Sequence, residues 1–426
     1  MNPESGIVSK LVSDAIIPKM IRIRQNFPRP VIKDLPKHIA GQLQLDGIAE
    51  TIKPGMNIAI TCGSRGISNI QHIIREICNF VKLQGAAPFI LPSMGSHGGA
   101  SAEGQRKIIE GYGVTEEFCG APIKASTEVI EIGITEEYHH VFINKNAANA
   151  DGIIVVGRIK PHTDFRGPYE SGIMKMMVIG LGGQHGAQVF HQNGPKYMAH
   201  LLPLFGNVII KNAPILFAIG IIENAYNETA KIVSIPRDKI AEMEPELLKE
   251  ARTLMGRLLF DEVDVLIVDR VGKDISGDGM DPNITGTFST PYATGGLKAK
   301  KRVVLDLTDE TRGNMVGIGM ADTTTLRCFH KCDFEASYPN ALTCTVFDPF
   351  RIPLIMKNDK EAISACLKYG GENDKENPRV MRIQDTMHIT EIWISEAMLK
   401  EAEANPSIEI LSAPQSMPFD KNGNLW

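Results

Sequence analysis

Residues 56–113 read MNIAITCGSRGISNIQHIIREICNFVKLQGAAPFILPSMGSHGGASAEGQRKIIEGYG, one pattern written twice. MNIAITC (56–62) is an apolar run of strand length, and GSRGIS (63–68) is a polar, glycine-rich loop. NIQHIIREICNFVKLQG (69–85) has helical periodicity and stops at a glycine. APFILPS (87–93), GSHGGAS (95–101) and AEGQRKIIEGYG (102–113) repeat strand, loop and helix. DGIIVVGRI (151–159) is a third strand, followed by the polar loop KPHTDFRG (160–167). Such alternation predicts an α/β, Rossmann-like domain with a mainly parallel sheet covered on both faces. In these sheets ligands bind beyond the carboxyl ends of the strands. Arg65, His97 and His162 each follow a predicted strand, so their loops are expected to converge on one crevice.

Further along, PRDKIAEMEPELLKEARTLMGRLLF (236–260) is helical, and DVLIVDRV (264–271) begins a new strand-led unit. The boundary is placed near Leu258. That gives an N-terminal domain over 1–258, a smaller α/β domain over 259–394 and a C-terminal helix and tail over 395–426. An active site is expected in the cleft between the two domains. In the second domain KRVVLDL (301–307), MVGIGMA (315–321) and ALTCTVF (341–347) read as strands. SEAMLKEAEAN (395–405) reads as a helix whose docking site has no sequence signal.

Composition narrows the function classes. At 426 residues two domains are expected. Net charge is −5, with acids and bases interspersed, so no basic surface points to nucleic acid or to a membrane. The N-terminus lacks a signal-peptide layout, and no apolar run reaches the roughly 18–20 residues that span a bilayer. The seven cysteines are scattered, and only Cys328 and Cys332 lie close, as CFHKC. Reduced thiols and a cytoplasmic location are expected.

The chemistry concentrates in RIKPHTDFRGPYESGIMKMMVIGLGGQHGAQVFHQN (158–193), which carries His162, Lys175, His185 and His191. Histidine suits acid–base work at neutral pH. Glycines around His97 let the loop approach a ligand and leave the imidazole exposed, while Pro161 stiffens the loop of His162. Two histidines on opposite sides of one carbon would remove a proton from one face and return it to the other. Each is otherwise an ordinary loop histidine. Lys175 has three readings: a snorkelling side chain, a covalent-adduct lysine or a phosphate binder, the last without a Walker pattern to support it. His185 and His191 are six apart, off the spacing that shares a helical face. Arg65 is placed to hold a carboxylate or phosphate before a helix N-terminus, or is a solvated loop residue. In GKDISGDGMDPNITG (272–286), Lys273, Asp281 and Asn283 are candidate contacts for substrate hydroxyls, against the plainer reading of an Asx-rich turn.

PH at 161–162, SGIMKMMVIG at 171–180 and a histidine sixteen residues after the lysine together resemble the lactate racemase family, nickel-pincer-nucleotide enzymes. The likeness runs from about Gly63 to Asn193 and extends more weakly into the second domain. It implies a racemase or epimerase of an α-hydroxy acid, acting by hydride transfer to a nickel-bearing pyridinium bis-thiocarboxylate mononucleotide. By this resemblance Lys175 holds the nucleotide covalently and His191 binds nickel, with Ser171, Gly172 and Arg65 also at the cofactor. His97 and His162 then match the acid–base pair, and Arg65 the family's first-loop arginine. Partners implied are a small hydroxy acid and the enzymes that build the nucleotide. The chain departs from the lactate enzyme in a longer stretch between His162 and Lys175, in Cys62 for an acidic residue and in Gly98 for an arginine. The family's second-domain substrate contacts have no evident counterpart. A larger polyhydroxy acid, such as a sugar acid, is therefore expected in place of lactate. The competing readings are a metal-dependent lyase or hydrolase built on the same histidines, and a non-catalytic protein that binds a nucleotide or hydroxy acid.

Overall fold

The computed structural model describes residues 6–64, 66–371 and 374–426, which fold as two compact units. One comprises residues 28–255 and the other joins residues 1–27 to 256–426. Among the described residues no helix is long and apolar enough to cross a membrane.

In the unit of residues 28–255 the sequence alternation becomes a five-stranded sheet. Its elements are β1 (Asn57–Cys62), α1 (Ile70–Leu83), β2 (Ala87–Pro92), α2 (Ala102–Gly111) and β3 (Gly152–Arg158). They are followed by α3 (Gly183–His191), α4 (Met198–Asn212), β4 (Ile215–Glu223), β5 (Thr229–Pro236) and α5 (Ile240–Leu254). The spatial order is β2-β1-β3-β4-β5, parallel throughout except for the antiparallel β4–β5 pair. The chain runs from β1 outward to β2 and then returns to the other side of β1. The switch point therefore lies between β1 and β3, where doubly wound sheets open a crevice. The loops that carry Ser64 and His162 leave the sheet there.

Strands buried on both faces read as unbroken apolar runs, and β3 shows why. Ile153 and Val155 pack into the core beneath α4 and α5, while Ile154 and Val156 pack into the core beneath α1. Helix α1 buries Ile70, Ile73, Ile74, Ile77, Cys78 and Val81, the stripe expected of an amphipathic helix on a sheet. It ends ahead of Gly85, whose φ of +77° reverses the chain toward β2.

The other unit contains an eight-stranded sheet. Leu354–Met356, Thr323–Thr325, Lys298–Leu307, Glu262–Val271 and Val380–Ile383 run parallel in that order. Glu391–Ser395, Met20–Gln25 and Ile408–Ile410 then continue it antiparallel.

Three sequence expectations are corrected here. Residues 6–27 do not belong with residues 28–255. Met20–Gln25 (MIRIRQ) is a strand between two others, burying Ile21 and Ile23 while Arg24 pairs outward with Glu391 at 2.8 Å. MVGIGMA is not a strand. Gly317 takes φ +99°, and a Cβ there would lie 2.6 Å from the Asp278 carbonyl oxygen, so the segment turns and forms a 3-10 turn at Ile318–Met320. ALTCTVF is not a strand either, because the Asp333 side chain caps a helix, Phe334–Cys344, that runs into it.

Ile23→Ala should therefore destabilise the protein by about 2–5 kcal/mol and speed amide exchange at Ile392 and Ile394 of the neighbouring strand. Chemical denaturation with hydrogen-exchange mass spectrometry checks this, and unchanged exchange in Glu391–Ser395 would argue against the pairing.

Candidate active site

The loop after β3 is closed by a backbone pair, with Lys160 and Ser171 each donating an N–H to the other's carbonyl. Inside it, the buried carboxylate of Glu170 accepts the N–H of His162 at 2.7 Å and that of Gly167 at 3.1 Å. The guanidinium of Arg252, from α5, also bonds Glu170, and Arg166 lies 3.5 Å away. A buried carboxylate survives desolvation only when so satisfied. The loop backbone is thereby fixed, and His162 with it.

His162 is 7% exposed and its ring lies against Phe165, centroids 4.5 Å apart. Nδ1 accepts the N–H of Asp164 at 3.0 Å. A neutral imidazole with Nδ1 as acceptor carries its proton on Nε2, and Nε2 is hydrogen-bonded to Nζ of Lys175.

Lys175 ends a short helix, Ile173–Lys175, that widens into a π-turn over Met176–Leu181 before α3. Such turns displace side chains from the α register. Ile173, Met174, Met177 and Val178 are buried, while Lys175, Met176 and Ile179 stay half-exposed. Buried Glu244 of α5 caps the start of the helix, accepting the N–H of Met174 at 2.9 Å. A Cβ on Gly172 would lie 2.0 Å from Oε1 of Glu244, so only glycine admits the carboxyl. Burial pushes this carboxyl up to about 7, against the backbone N–H groups of Met174 and Ile173 that lower it.

The other loops meet this helix through glycines. A Cβ on Gly95 would lie 3.2 Å from Cγ2 of Ile179, and one on Gly63 would lie 3.0 Å from Cε of Met176. The loops after β1 and β2 thus both rest on the π-turn beside Lys175. Half-buried His97 has its Nδ1 2.5 Å from Oγ of Ser64, whose carbonyl takes the Tyr112 hydroxyl at 2.7 Å. The ring is held across two loops and is less open than the sequence suggested. A Cβ on Gly98 would lie 2.6 Å from the Gln105 nitrogen, so no side chain fits there. Cys62 is buried at the end of β1, and burial pushes its thiol up to about 12. Arg65 lies outside the described residues.

His191 is the last residue of α3. Its Nδ1 lies 2.6 Å from the Ala187 carbonyl oxygen, an acceptor, so Nδ1 carries the proton and Nε2 keeps its lone pair. Burial holds the imidazole below its ordinary range and keeps it neutral; the Ala187 bond opposes this, and the charges of Lys175 and Asp164 act in opposite senses. A neutral imidazole with Nε2 available is a metal ligand. His185 is on the exposed side of α3, edge-on to Phe142 at 4.6 Å, away from this arrangement. Among the described residues no group of three or more His, Cys, Asp and Glu is placed to hold a metal ion.

In the other unit, the switch point falls between Glu262–Val271 and Val380–Ile383, and the loop 272–286 leaves from it. Asp281 caps Pro282–Thr285 and accepts both the backbone and side-chain N–H of Asn283, while Lys273 donates to the Gly277 carbonyl at 3.2 Å. The Asx-turn geometry is present.

Sequence reasoning missed Ser64, Asp164, Glu170 and Glu244. Only Glu244 had a signal: it occupies a buried position in the stripe Ile240, Leu247, Leu248, Ala251.

Residues 31–197 match the family described as the lactate racemase N-terminal domain. The fold is similar to that of the lactate racemase apoprotein from Thermoanaerobacterium thermosaccharolyticum. That match has 13% identity and a TM-score of 0.52, over 87% of this chain and 99% of that one. Residues 31–197 thus match a lactate racemase N-terminal domain, and the two findings are consistent with a divergent member of that family. A Thermotoga maritima protein solved by structural genomics is also similar, at 13% identity and TM-score 0.44, over 63% of this chain and 70% of that one. No curated protein sequence matches. Within the lactate racemase N-terminal domain fall His97, His162, Lys175 and His191 together; Glu244 supports it from outside the matched residues.

The Glu244 carboxyl ordinarily titrates near 4.5 and here near 7, so the folded state binds its proton more tightly than the unfolded state. This group's contribution is fully present below about pH 4.5 and is lost as pH rises to 7, by about 3 kcal/mol. Glu244→Gln should flatten that part of the stability–pH profile, measured by urea denaturation between pH 4.5 and 8. A slope unchanged by the substitution would contradict the assignment.

Proposed function

We propose that this chain is a racemase or epimerase of an α-hydroxy acid larger than lactate, served by a nickel-pincer nucleotide. The observation that carries the reading is the meeting of Lys175 with His162, beside a neutral His191, within a lactate racemase N-terminal domain. When bound, the nucleotide, a pyridinium bis-thiocarboxylate carrying nickel, supplies an acceptor for the substrate's α-hydrogen and its electron pair.

Everything else falls to the chain. Lys175 would hold the nucleotide covalently, and Nε2 of His191 would bind its nickel. Gly172 leaves room for the Glu244 carboxyl that caps the helix of Lys175, and the backbone pair at Ser171 closes the loop of His162. His97 and His162 move the hydroxyl proton of the substrate, one on each side of its carbinol carbon. Ser64 on Nδ1 of His97 and the Asp164 N–H on Nδ1 of His162 fix each ring's direction, which proton transfer requires. Arg65 takes the substrate carboxylate. The long 160–171 loop favours a substrate with more hydroxyls than lactate. The protein acts in the cytoplasm and depends on the enzymes that build its nucleotide. A zinc hydrolase would need three protein ligands, and the histidines here serve separate tasks.

Protein made in cells that produce the pincer nucleotide should carry an adduct on the Lys175 peptide and stoichiometric nickel. His191→Ala should keep the adduct and lose nickel, and His97→Ala should keep both while losing exchange of the α-hydrogen of hydroxy acids. Peptide mass spectrometry, metal analysis and exchange by NMR read these outcomes. Unmodified Lys175 without nickel, in cells that load a known family member, would refute the proposal.

A further inference from the structure

We propose that Cys332 and Cys328 form a hydroperoxide-reactive thiol pair: Cys332 attacks the peroxide, Cys328 resolves it, and the disulfide they close remodels the end of their helix. They are the cysteines of CFHKC, the close pair of the sequence, and neither has a part in the function proposed above.

Such a pair needs two sulfurs on one face and one of them within reach of solvent. Cys328 lies in the helix Leu326–Lys331 and Cys332 caps its C-terminus, one turn further on. One turn separates Cα atoms by roughly 6 Å, inside the span of about 4.4–6.8 Å that a disulfide bridges. The Cys332 thiol points back along the helix and donates to the Cys328 carbonyl at 3.4 Å. Cys328 is buried, and Cys332 is half-exposed. The Cys328 thiol bonds to Cys332 and holds it below the ordinary thiol range, against burial, which raises it. More of Cys332 is therefore thiolate, the reactive form, at neutral pH. The other cysteines are placed differently. Burial pushes Cys62, Cys78 and Cys366 up to about 12 and Cys119 up to about 11. Exposed Cys344 ends the following helix, Phe334–Cys344.

The step balances with hydrogen peroxide as the oxidant. The Cys332 thiolate attacks one peroxide oxygen, the O–O bond breaks, and hydroxide leaves as water after taking up the thiol's proton. The Cys328 sulfur then attacks the sulfenic sulfur of Cys332. The S–S bond forms, the S–O bond breaks, and a second water leaves with the Cys328 proton. Two thiols are oxidised and one peroxide is reduced.

Closing the disulfide has a structural consequence. Helical Cβ atoms one turn apart are about 5–6 Å from each other, whereas a disulfide needs about 3.8 Å. The last turn must therefore tighten. In that turn Lys331 bonds buried Asp306 at 3.1 Å and the Leu307 carbonyl at 3.3 Å. Asp333, next after Cys332, gives its N–H to the Gly313 carbonyl at 2.8 Å and caps Phe334–Cys344. Oxidation thus draws Lys331 from the end of Lys298–Leu307 and pulls on the cap of the following helix.

The test uses the full-length chain treated with hydrogen peroxide, blocked with iodoacetamide and digested with trypsin without reductant. Trypsin cuts after Lys331, so the disulfide shows as CFHK (328–331) joined to the peptide that begins at Cys332. The expected result is this link, formed at least about tenfold faster than Cys344 is oxidised and released by dithiothreitol. Cys344→Ser should keep the link, Cys332→Ser should leave Cys328 unoxidised, and Cys328→Ser should leave Cys332 reactive to dimedone. Hydrogen exchange over residues 331–337 should rise on oxidation. A wild-type Cys332 that oxidises no faster than Cys344, or passes to sulfinic acid without joining Cys328, overturns the pair whether or not the variants fold. A disulfide with unchanged exchange over residues 331–337 overturns the remodelling.

Discussion

A buried carboxylate with no water to solvate it must be surrounded by donors, and Glu170 collects the N–H groups of His162 and Gly167 with the guanidinium of Arg252. Two donors come from the loop itself and the third from α5, so satisfying one anion shapes the loop after β3 and fixes it against α5. The same helix carries Glu244, eight residues before Arg252 and on the same face, which caps the helix of Lys175. One helix on the back of the sheet therefore sets both members of the His162–Lys175 pair. Their hydrogen bond is a consequence of two carboxylates finding their partners.

The polar loops could occupy this geometry because the sheet gives them one place to go. Order β2-β1-β3 puts the switch point beside β1; the loops after β1 and β2 meet on the π-turn, and the loop after β3 reaches Lys175 just before it. Glycines at 63 and 95 let loop backbone approach that turn closely. The tautomers then follow from the backbone: the Ala187 carbonyl leaves Nε2 of His191 as a lone-pair donor, and the Asp164 N–H leaves Nε2 of His162 as a hydrogen donor. Two histidines of the same segment thus have opposite chemical capacities, which the spacing of residues alone does not distinguish.

The parallel sheet was legible because its strands are buried on both faces and so read as apolar runs, and α1 because its stripe is regular. Met20–Gln25 escaped because its partners lie some 370 residues away, at Glu391–Ser395 and Ile408–Ile410. MVGIGMA and ALTCTVF misled because a close approach at Gly317 and a cap at Asp333 override local apolar pattern. In the site, His97, His162, Lys175 and His191 could be named because histidine and lysine are conspicuous among glycine and methionine. Glu170 could not, since a glutamate in a loop looks solvated until the fold buries it. Glu244 was half legible, as a carboxylate standing in a buried helical stripe.

The account turns on His191 being a neutral ligand through Nε2 while Lys175 anchors the group that brings the metal. Diffraction at the nickel absorption edge, from crystals of protein loaded in cofactor-producing cells, tests this directly. An anomalous peak bonded to Nε2 of His191, with Nδ1 still on the Ala187 carbonyl and continuous density from Nζ of Lys175, is the predicted result. Nickel bound through Nδ1, or held at a site without His191, would contradict it.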